Sequence, residues 1–267
     1  MLKTQTRMIL PDAHIPFHDR HLTGAWMDLA GKLKLDAIDI IGDVIDAYPL
    51  SRFDKNPRRR ASLQMEVDQA RDLLKSIRQL VGPKIPICYS EGNHENRLKR
   101  VLWSTSKALG DLRGLDIPGL LGLENLGISY YTPESPYRVG KLWFLHGDVS
   151  RKQNFSKSAG GRAADAVARS IGGSVLMGHT HQMGHTMFRS WERELEGYEV
   201  GCLCQFDMEY VVGVPPWQQG WAVATIFPDG NFSVEFVRSV EGARHRRHLV
   251  FRDQVIAKLP PAKVHLR

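Results

Sequence analysis

The chain has 267 residues, 42% of them hydrophobic and 24% charged, which is a globular composition that can bury one substantial core. We therefore expect one domain over residues 1–267, and no apolar stretch approaches the length that an integral membrane protein needs. The formal net charge of +7 favours anionic partners such as nucleic acid or another polyphosphate.

The first residues do not resemble a secretory signal, because the apolar run is short and ends at Pro11. Three cysteines cannot all pair, and a chain of this size does not need disulfide bonds to be stable. We therefore expect a reducing, cytoplasmic setting. Cys202 and Cys204 lie two residues apart in a strand-like run, where inert packing is favoured over half of a metal site because no second cysteine pair completes the set.

Short apolar runs recur along the chain, and each one ends in polar or glycine-rich residues. They predict buried strands that open into loops, at residues 7–10, 37–41, 85–90, 141–145 and 174–177. Helix-like stretches lie between them, over 21–35, 61–80 and 159–171.

Beyond Gly178 the pattern changes to strands joined by turns, over 183–189, 198–206, 221–227 and 231–238, with no helix-length segment between them. The predicted fold class is α/β, with two sheets packed as a β-sandwich and flanked by helices. Residues 104–137, rich in Gly and Leu, predict an insertion between two strands, and a basic tail is expected from about residue 242.

Five clusters of potential metal ligands follow five of the predicted strands directly. Loops converge on a site at strand ends in layered α/β folds, and adjacent glycines allow the sharp turns that bring a side chain close to a metal. The clusters are Asp12-Ala13-His14, Gly42-Asp43, Gly92-Asn93-His94-Glu95, His146-Gly147-Asp148 and Gly178-His179-Thr180-His181.

This series resembles the D-x-H, GD-x-x-D, GNHE, H and GH-x-H blocks of the calcineurin-like metallophosphoesterases, and the chain is similar to the small stand-alone members of bacterial and phage genomes. The blocks span residues 12–181. A single block alone would be weak evidence for the family. The resemblance implies a four-layer fold and two metal ions. Asp12, His14 and His181 would bind one ion, Asn93, His146 and His179 the other, and Asp43 would bridge them.

The donor types agree with this implication. A carboxylate can span metals about 3.5–4 Å apart, and two carboxylates offset only part of the charge of a divalent pair, so a bound water becomes acidic enough to supply hydroxide that attacks phosphorus. Histidine-rich ligation with some carboxylate suits transition metals better than Mg²⁺. Manganese is the expected metal, with iron, zinc and nickel as alternatives.

His94 follows a predicted ligand directly, so its imidazole should face the bound phosphate and act as general acid for the departing alkoxide. Asp46 matches the second carboxylate of the GD-x-x-D block, and we expect it to orient His94. Glu95 could support a ligand, but capping a loop or helix is the favoured interpretation. Trp217 could face the site from a loop, although a hairpin turn with buried tryptophans is favoured.

The substrate class depends on the basic residues. Ala47 and Glu91 stand where the protein serine/threonine phosphatases carry arginines, which argues against that subclass. Arg97 is a candidate phosphate ligand, with a solvated helix residue as the alternative.

Arg58, Arg59 and Arg60 lie downstream of the Asp43 block, where they would contact flanking phosphates of DNA or RNA. The expected function is a phosphodiesterase acting on nucleic acid. The alternatives are a phosphomonoesterase or nucleotide phosphatase with a small substrate and, more remotely, a non-catalytic scaffold of the same fold. No membrane partner is expected, and the sequence does not identify protein partners.

Overall fold

Two mixed β-sheets pack face to face, and helices cover their outer faces. We describe this fold from a computed structural model. The described residues are 3–52, 54, 61–110, 112–148, 160–189, 191, 193–211, 213 and 215–263.

All described α-helices lie among the strands as far as α5, and the described elements beyond α5 are strands and one short 3-10 helix. The described strands are β1 (Gln5–Leu10), β2 (Ala37–Ile40), β3 (Ile87–Ser90), β4 (Ile128–Tyr131), β5 (Tyr137–Val139), β6 (Leu142–Leu145), β7 (Ser174–Met177), β8 (Met183–Arg189), β9 (Glu194–Val200), β10 (Gly220–Ile226), β11 (Phe232–Glu241), β12 (Arg247–Phe251) and β13 (Gln254–Leu259). The described α-helices are α1 (Arg20–Lys32), α2 (Leu63–Val81), α3 (Asn96–Thr105), α4 (Ile117–Leu121) and α5 (Arg162–Ile171).

The larger sheet has the strand order β13-β12-β11-β10-β1-β2-β3-β4, and the smaller sheet has the order β5-β6-β7-β9-β8. Strands β1 to β4 are parallel, as crossover connections require, whereas β10 to β13 form an antiparallel meander that joins β1 through β10. In the smaller sheet, β6, β7 and β9 are parallel. The parallel strands of both sheets therefore open their carboxyl ends toward a common loop region.

Alternation along β1 shows why the two sheets form a sandwich. Met8 and Leu10 belong to the core under α1 and α2, whereas Ile9 belongs to the core between the sheets. Successive strand residues point to opposite faces, so a strand that is apolar on both faces must be covered on both. Burying such side chains is the main favourable contribution to folding.

The helices pack through one apolar face each. In α2 the buried Val67, Ala70, Leu74 and Ile77 recur at helical spacing, and the helix begins after Ser62, whose hydroxyl accepts from the backbone N–H of Met65. Helix α5 covers the outer face of the smaller sheet with its alanines and Val167. The layers are therefore helices, larger sheet, smaller sheet and helix, and the predicted fold class is confirmed.

Most predicted elements are present with bounds shifted by a few residues, and one C-terminal strand is misplaced. The strand predicted at 198–206 is β9, which ends at Val200. Gly201 follows with φ 81°, and this left-handed residue turns the chain out of the sheet. Cys202 and Cys204 then form isolated bridges with Gln219 and His18.

Two segments contribute more regular structure than their composition suggests. Residues 104–137 contain α4 and β4, and β4 pairs in parallel with β3 at the edge of the larger sheet. Residues 247–259 form β12 and β13 of that sheet rather than a tail. Within the described part of the chain, no helix has the length and apolar character needed to cross a membrane.

Candidate metal centre

Every predicted metal ligand lies just beyond the carboxyl end of a strand. The larger sheet supplies Asp12 and His14 after β1, Asp43 after β2 and Asn93 after β3. The smaller sheet supplies His146 after β6 and both His179 and His181 after β7. Because the strand ends of the two sheets face the same loop region, residues up to 167 positions apart in sequence come into contact.

One cluster consists of Asp12, His14 and His181, all buried. The Nε2 atoms of the two imidazoles are 2.9 Å apart, and Asp12 Oδ1 lies 3.4 Å from His181 Nε2. Nitrogen ligands at about 2.1 Å from an ion are about 3 Å from each other. The spacing therefore fits two imidazoles that share one cation.

A second cluster lies beside the first and contains Asn93, His146 and His179. His146 Nε2 is 3.1 Å from Asn93 Oδ1 and 3.2 Å from His179 Nδ1. The other nitrogen of His146, Nδ1, is 2.9 Å from the backbone oxygen of Ile41, which fixes the ring with Nε2 facing the cluster.

Asp43 stands between the two clusters. Its Oδ2 atom is 3.6 Å from His14 Nε2 on one side and 3.3 Å from His146 Nε2 on the other. Its Oδ1 atom accepts from the backbone N–H of His94 at 2.9 Å. This is where a carboxylate must lie if it is to serve two ions at once.

The pKa values of the facing imidazoles diverge within each cluster. Burial lowers the pKa of His146, but the Asp43 carboxylate raises it more, to well above its ordinary value. Burial and the nearby His146 lower the pKa of His179 to about 4. Burial and His94 likewise lower the pKa of His14. Burial also lowers the pKa of His181, but the hydrogen bond to Asp12 and the surrounding negative groups together raise it more. The carboxylates therefore favour positive charge in both clusters, and the donor set fits a metal ion.

The backbone at the site adopts conformations that side chains rarely take. Four of the seven predicted ligands have positive φ, namely His14 (49°), Asp43 (50°), His179 (69°) and His181 (56°). Such residues cost free energy and concentrate at functional sites. Two glycines leave necessary room, since a Cβ on Gly92 would lie 2.1 Å from Asp43 Oδ1 and one on Gly178 would lie 2.1 Å from Asp12 Oδ2.

Glu95 organises the loop that carries Asp43. Its fully buried carboxylate accepts from the backbone N–H groups of Asp43, Val44, Ile45 and Gly92 and from the Tyr89 hydroxyl. Burial and the neighbouring Asp43 raise the pKa of Glu95 to about 7. The capping interpretation underrated this residue, because its partners are backbone groups 50 to 52 positions away as well as its own turn.

His94 lies at the edge of the centre with its side chain 12% exposed and Nε2 3.8 Å from Asp43 Oδ2. Its Nδ1 is 2.7 Å from the backbone oxygen of Asp46 and 3.3 Å from the Asp46 carboxylate. Burial lowers the pKa of His94, but Asp43 and Asp46 raise it more, so its net shift is upward. The structure therefore brings the expected acid and its expected orienting carboxylate together.

Arg97 also reaches the site. Its guanidinium donates to the backbone oxygen of Asp46 at 2.8 Å and to His94 Nε2 at 2.9 Å. A guanidinium can only donate, so Nε2 of His94 is an acceptor here and the ring proton lies on Nδ1. Arg97 is thus a residue of the site and not only a solvated helix position.

Three further contacts join residues outside the motif series to the site, and Tyr210 is the one that the sequence analysis missed. The hydroxyl of Tyr210 donates to Asp46 Oδ1 at 2.6 Å, and that same oxygen is 3.2 Å from His14 Nδ1. The ring centre of Trp217 lies 4.3 Å from that of His181, so Trp217 faces the site, which was the less favoured of the two interpretations. Cys204 Sγ is 3.8 Å from His181 Nδ1. No sequence motif marks them, because they belong to loops far along the chain.

Arg58, Arg59 and Arg60 lie outside the described residues. The described basic side chains beside the site are those of α3, which begins next to His94. Lys99 and Arg100 follow Arg97 on this helix, and the Lys99 ammonium lies 4.8 Å from the ring centre of Trp103, which is 56% exposed.

Two phage proteins are similar to this chain in sequence. No family model matches the sequence. The gene 54 protein of Mycobacterium phage D29 is 30% identical over 235 residues, which cover 84% of this chain and 89% of the relative. The chain belongs to the family of these gene 54 proteins. The gene 54 protein of Mycobacterium phage L5 is 29% identical over 230 residues, which cover 82% of this chain and 88% of the relative.

Among solved structures, vacuolar protein sorting 29 of Cryptosporidium parvum superposes with a TM-score of 0.50 at 11% identity. The match covers 97% of this chain and 100% of that one. Identity at this level shows a common fold only. The fold is the calcineurin-like metallophosphoesterase fold that the motif series implies.

Proposed function

We propose that this chain is a metal-dependent phosphoester hydrolase with two metal ions. Asp12, His14 and His181 would hold one ion, Asn93, His146 and His179 the other, and Asp43 both. The observation that carries this proposal is the position of Asp43 Oδ2, within 3.6 Å of an imidazole nitrogen of each cluster. Manganese is the proposed metal, with iron, zinc and nickel as alternatives, because imidazole-rich sites suit these ions.

When bound, such a pair polarises a phosphoryl oxygen and supplies a nucleophilic hydroxide near neutral pH. The residues of the chain supply the remaining steps. His94 is the proposed general acid, since its Nε2 is the ring atom closest to Asp43 and Asp46 holds the opposite nitrogen. Because Arg97 donates to that same Nε2, its guanidinium must turn to a phosphate oxygen, and Nε2 must take up a proton, before His94 can protonate a leaving group.

We propose a phosphodiester of nucleic acid as the substrate. Support comes from α3, the helix that follows His94, on which Arg97 and Arg100 are three residues apart and share a face. Lys99 and the exposed Trp103 share another face of this helix, and Trp103 offers a stacking surface. Several cations on a helix that begins at the site are useful for a polymer with several phosphates and are not needed for a small ester. The net charge of +7 agrees with this preference.

A substrate screen tests the proposal. Protein loaded with Mn²⁺ is assayed against a bis-aryl phosphodiester, an aryl phosphomonoester, single-stranded DNA and RNA, with the chelated protein and Asp43→Asn as controls. The expected result is metal-dependent hydrolysis of the diester and of at least one polynucleotide. Hydrolysis of the monoester alone would favour a phosphatase, and no hydrolysis by a fully metal-loaded protein would favour a non-catalytic scaffold.

A further inference from the structure

A cavity of about 140 Å³ opens beside His146. Its apolar wall includes Trp143, Leu145 and Ile171, and His146 itself forms part of the lining. Since His146 contacts Asn93 and Asp43, the cavity begins one side chain away from the metal centre. A group attached to a phosphate held at that centre would reach it.

Two buried polar residues, Ser90 and Glu91, also line this cavity. Glu91 is 7% exposed, and its Oε2 accepts from the Tyr130 hydroxyl at 2.8 Å. Ser90 is 4% exposed, and its hydroxyl has no hydrogen-bond partner among the described residues. A buried hydroxyl without a partner costs free energy, so a ligand that accepts from it gains an interaction that folding leaves unused.

The described lining of the cavity is negatively charged, which disfavours a phosphate there. Glu91 and Asp148 contribute carboxylates, and no lysine or arginine is among the described residues that line it. Phosphate groups would therefore be held at the metal centre and by α3, and the cavity is left for an uncharged organic group. Its wall is apolar and aromatic, with one acceptor and one available donor at its buried end.

We infer that this cavity binds a cytosine base of the substrate. An apolar cavity of about 150 Å³ accommodates one six-membered aromatic ring, so the volume suits a pyrimidine better than a purine. Cytosine presents an amino group that carboxylates accept from, and its ring carbonyl and N3 are acceptors for the Ser90 hydroxyl. Uracil has a carbonyl in place of the amino group, which would face the Glu91 carboxylate.

This inference rests on the proposed function only in treating the bound molecule as a substrate. Binding of the base is therefore tested first with nucleosides, which contain no phosphate. Calorimetric titration of the metal-loaded protein with cytidine, uridine and adenosine should give the tightest binding for cytidine, by about tenfold or more over uridine. Glu91→Gln should remove most of this preference. The amide can accept from the amino group of cytosine or donate to the carbonyl of uracil, so it does not discriminate between the two bases. Ser90→Ala should weaken cytidine binding several-fold.

Glu124→Gln is the matched control, since Glu124 is exposed and does not line the cavity. Metal content and thermal unfolding should be unchanged in all three variants. Equal binding of cytidine and uridine, or a preference that survives Glu91→Gln, would overturn the inference.

Catalytic assays then separate this inference from the proposed function. The nitrophenyl phosphodiesters of cytidine and uridine release nitrophenolate, and the cytidine ester should have the lower KM in the wild type and not in Glu91→Gln. If cytidine binds selectively and neither ester is hydrolysed, the base site stands and the hydrolase proposal fails. If both esters are hydrolysed with equal KM, the hydrolase proposal stands and the base site fails. Competition between cytidine and a short oligodeoxycytidylate shows whether a polymer presents the base more effectively than a nucleoside.

Discussion

The loops of the two sheets contribute to the candidate metal centre in different ways. Those of the larger sheet supply both carboxylates, and Glu95 holds the Asp43 loop through three backbone N–H groups. Those of the smaller sheet supply imidazoles only, and two of these depend on the larger sheet for their position. His146 Nδ1 lies against the backbone oxygen of Ile41, and the backbone N–H of His179 donates to Asp12.

This difference indicates how the centre is assembled. The larger sheet provides both carboxylates, and the smaller sheet brings imidazole donors to them across the sandwich. Changes to Asp43 or to the loop that holds it should therefore affect both ions, whereas changes to an imidazole of the smaller sheet should affect one ion.

The largest effect is expected for Asp43→Asn. Wild-type protein should take up about two transition-metal ions per chain, and this variant should lose more metal than any other single ligand change, because Asp43 alone would serve both ions. Elemental analysis should find that His179→Ala retains about one ion, and activity should be lost in both variants. A variant Asp43→Asn that keeps the wild-type metal content would refute the bridging role and the asymmetry between the sheets.

His94→Ala should leave fold and metal content intact and lower kcat by about 10²–10⁴, the usual contribution of a positioned general acid. The loss should shrink for a nitrophenyl ester, whose leaving group needs no proton. Stopped-flow assays with good and poor leaving groups measure this, and the exposed His21→Ala serves as control. Equal losses for both leaving groups would remove His94 from the acid role.

Glu95→Gln tests the rigidity of the larger-sheet half. The amide places an N–H group against backbone N–H donors, so the free energy of unfolding should fall by about 1–3 kcal/mol. Metal affinity should fall about 10- to 100-fold, although Glu95 is not a proposed ligand. Denaturant unfolding and metal titration measure the two effects, with the exposed Glu124→Gln as control. Unaltered metal affinity would mean that the Asp43 loop holds its shape without this carboxylate.

Arg97→Ala should raise KM for a diester by about tenfold, as expected when one charge-assisted hydrogen bond to phosphate is lost. Metal content should not change, because Arg97 contacts His94 and Asp46 and no proposed ligand. The exposed Arg113→Ala is the matched control. If kcat falls and KM is constant, Arg97 acts on His94 rather than on the substrate.

The smallest effect is expected for Arg58, Arg59 and Arg60 replaced together by Ala. Polynucleotide binding should weaken while turnover of a small aryl diester stays nearly intact. Each phosphate contact contributes about −0.9 for a duplex, or −0.7 for a single strand, to the slope of log affinity against log salt, so the slope should flatten visibly. An unchanged slope with intact small-ester turnover would assign these arginines to an ordinary solvated face and favour a small phosphoester substrate.

Local patterns were sufficient for the elements that carry the site. The apolar runs that become β1, β2, β3, β6 and β7 are buried strands, and the ligand clusters directly follow them. The same logic failed around Cys202, where an apolar run contains a left-handed glycine and leaves the sheet. Composition alone also missed β12 and β13, because strands at the edge of an antiparallel meander need only one apolar face.

The sequence by itself determined the fold class and the set of seven candidate ligands, because strand periodicity and ligand chemistry are local properties that a motif records. The motif series also implied how those ligands divide between two ions and that Asp43 bridges them. Only the tertiary structure supplied the distances that place Asp43 Oδ2 between the two clusters and the contact by which Arg97 donates to His94. It also revealed the roles of Glu95 and Tyr210 and the cavity beside His146. These features depend on distances between residues that are far apart in the chain, and such distances are set by how the two sheets pack rather than by any local pattern.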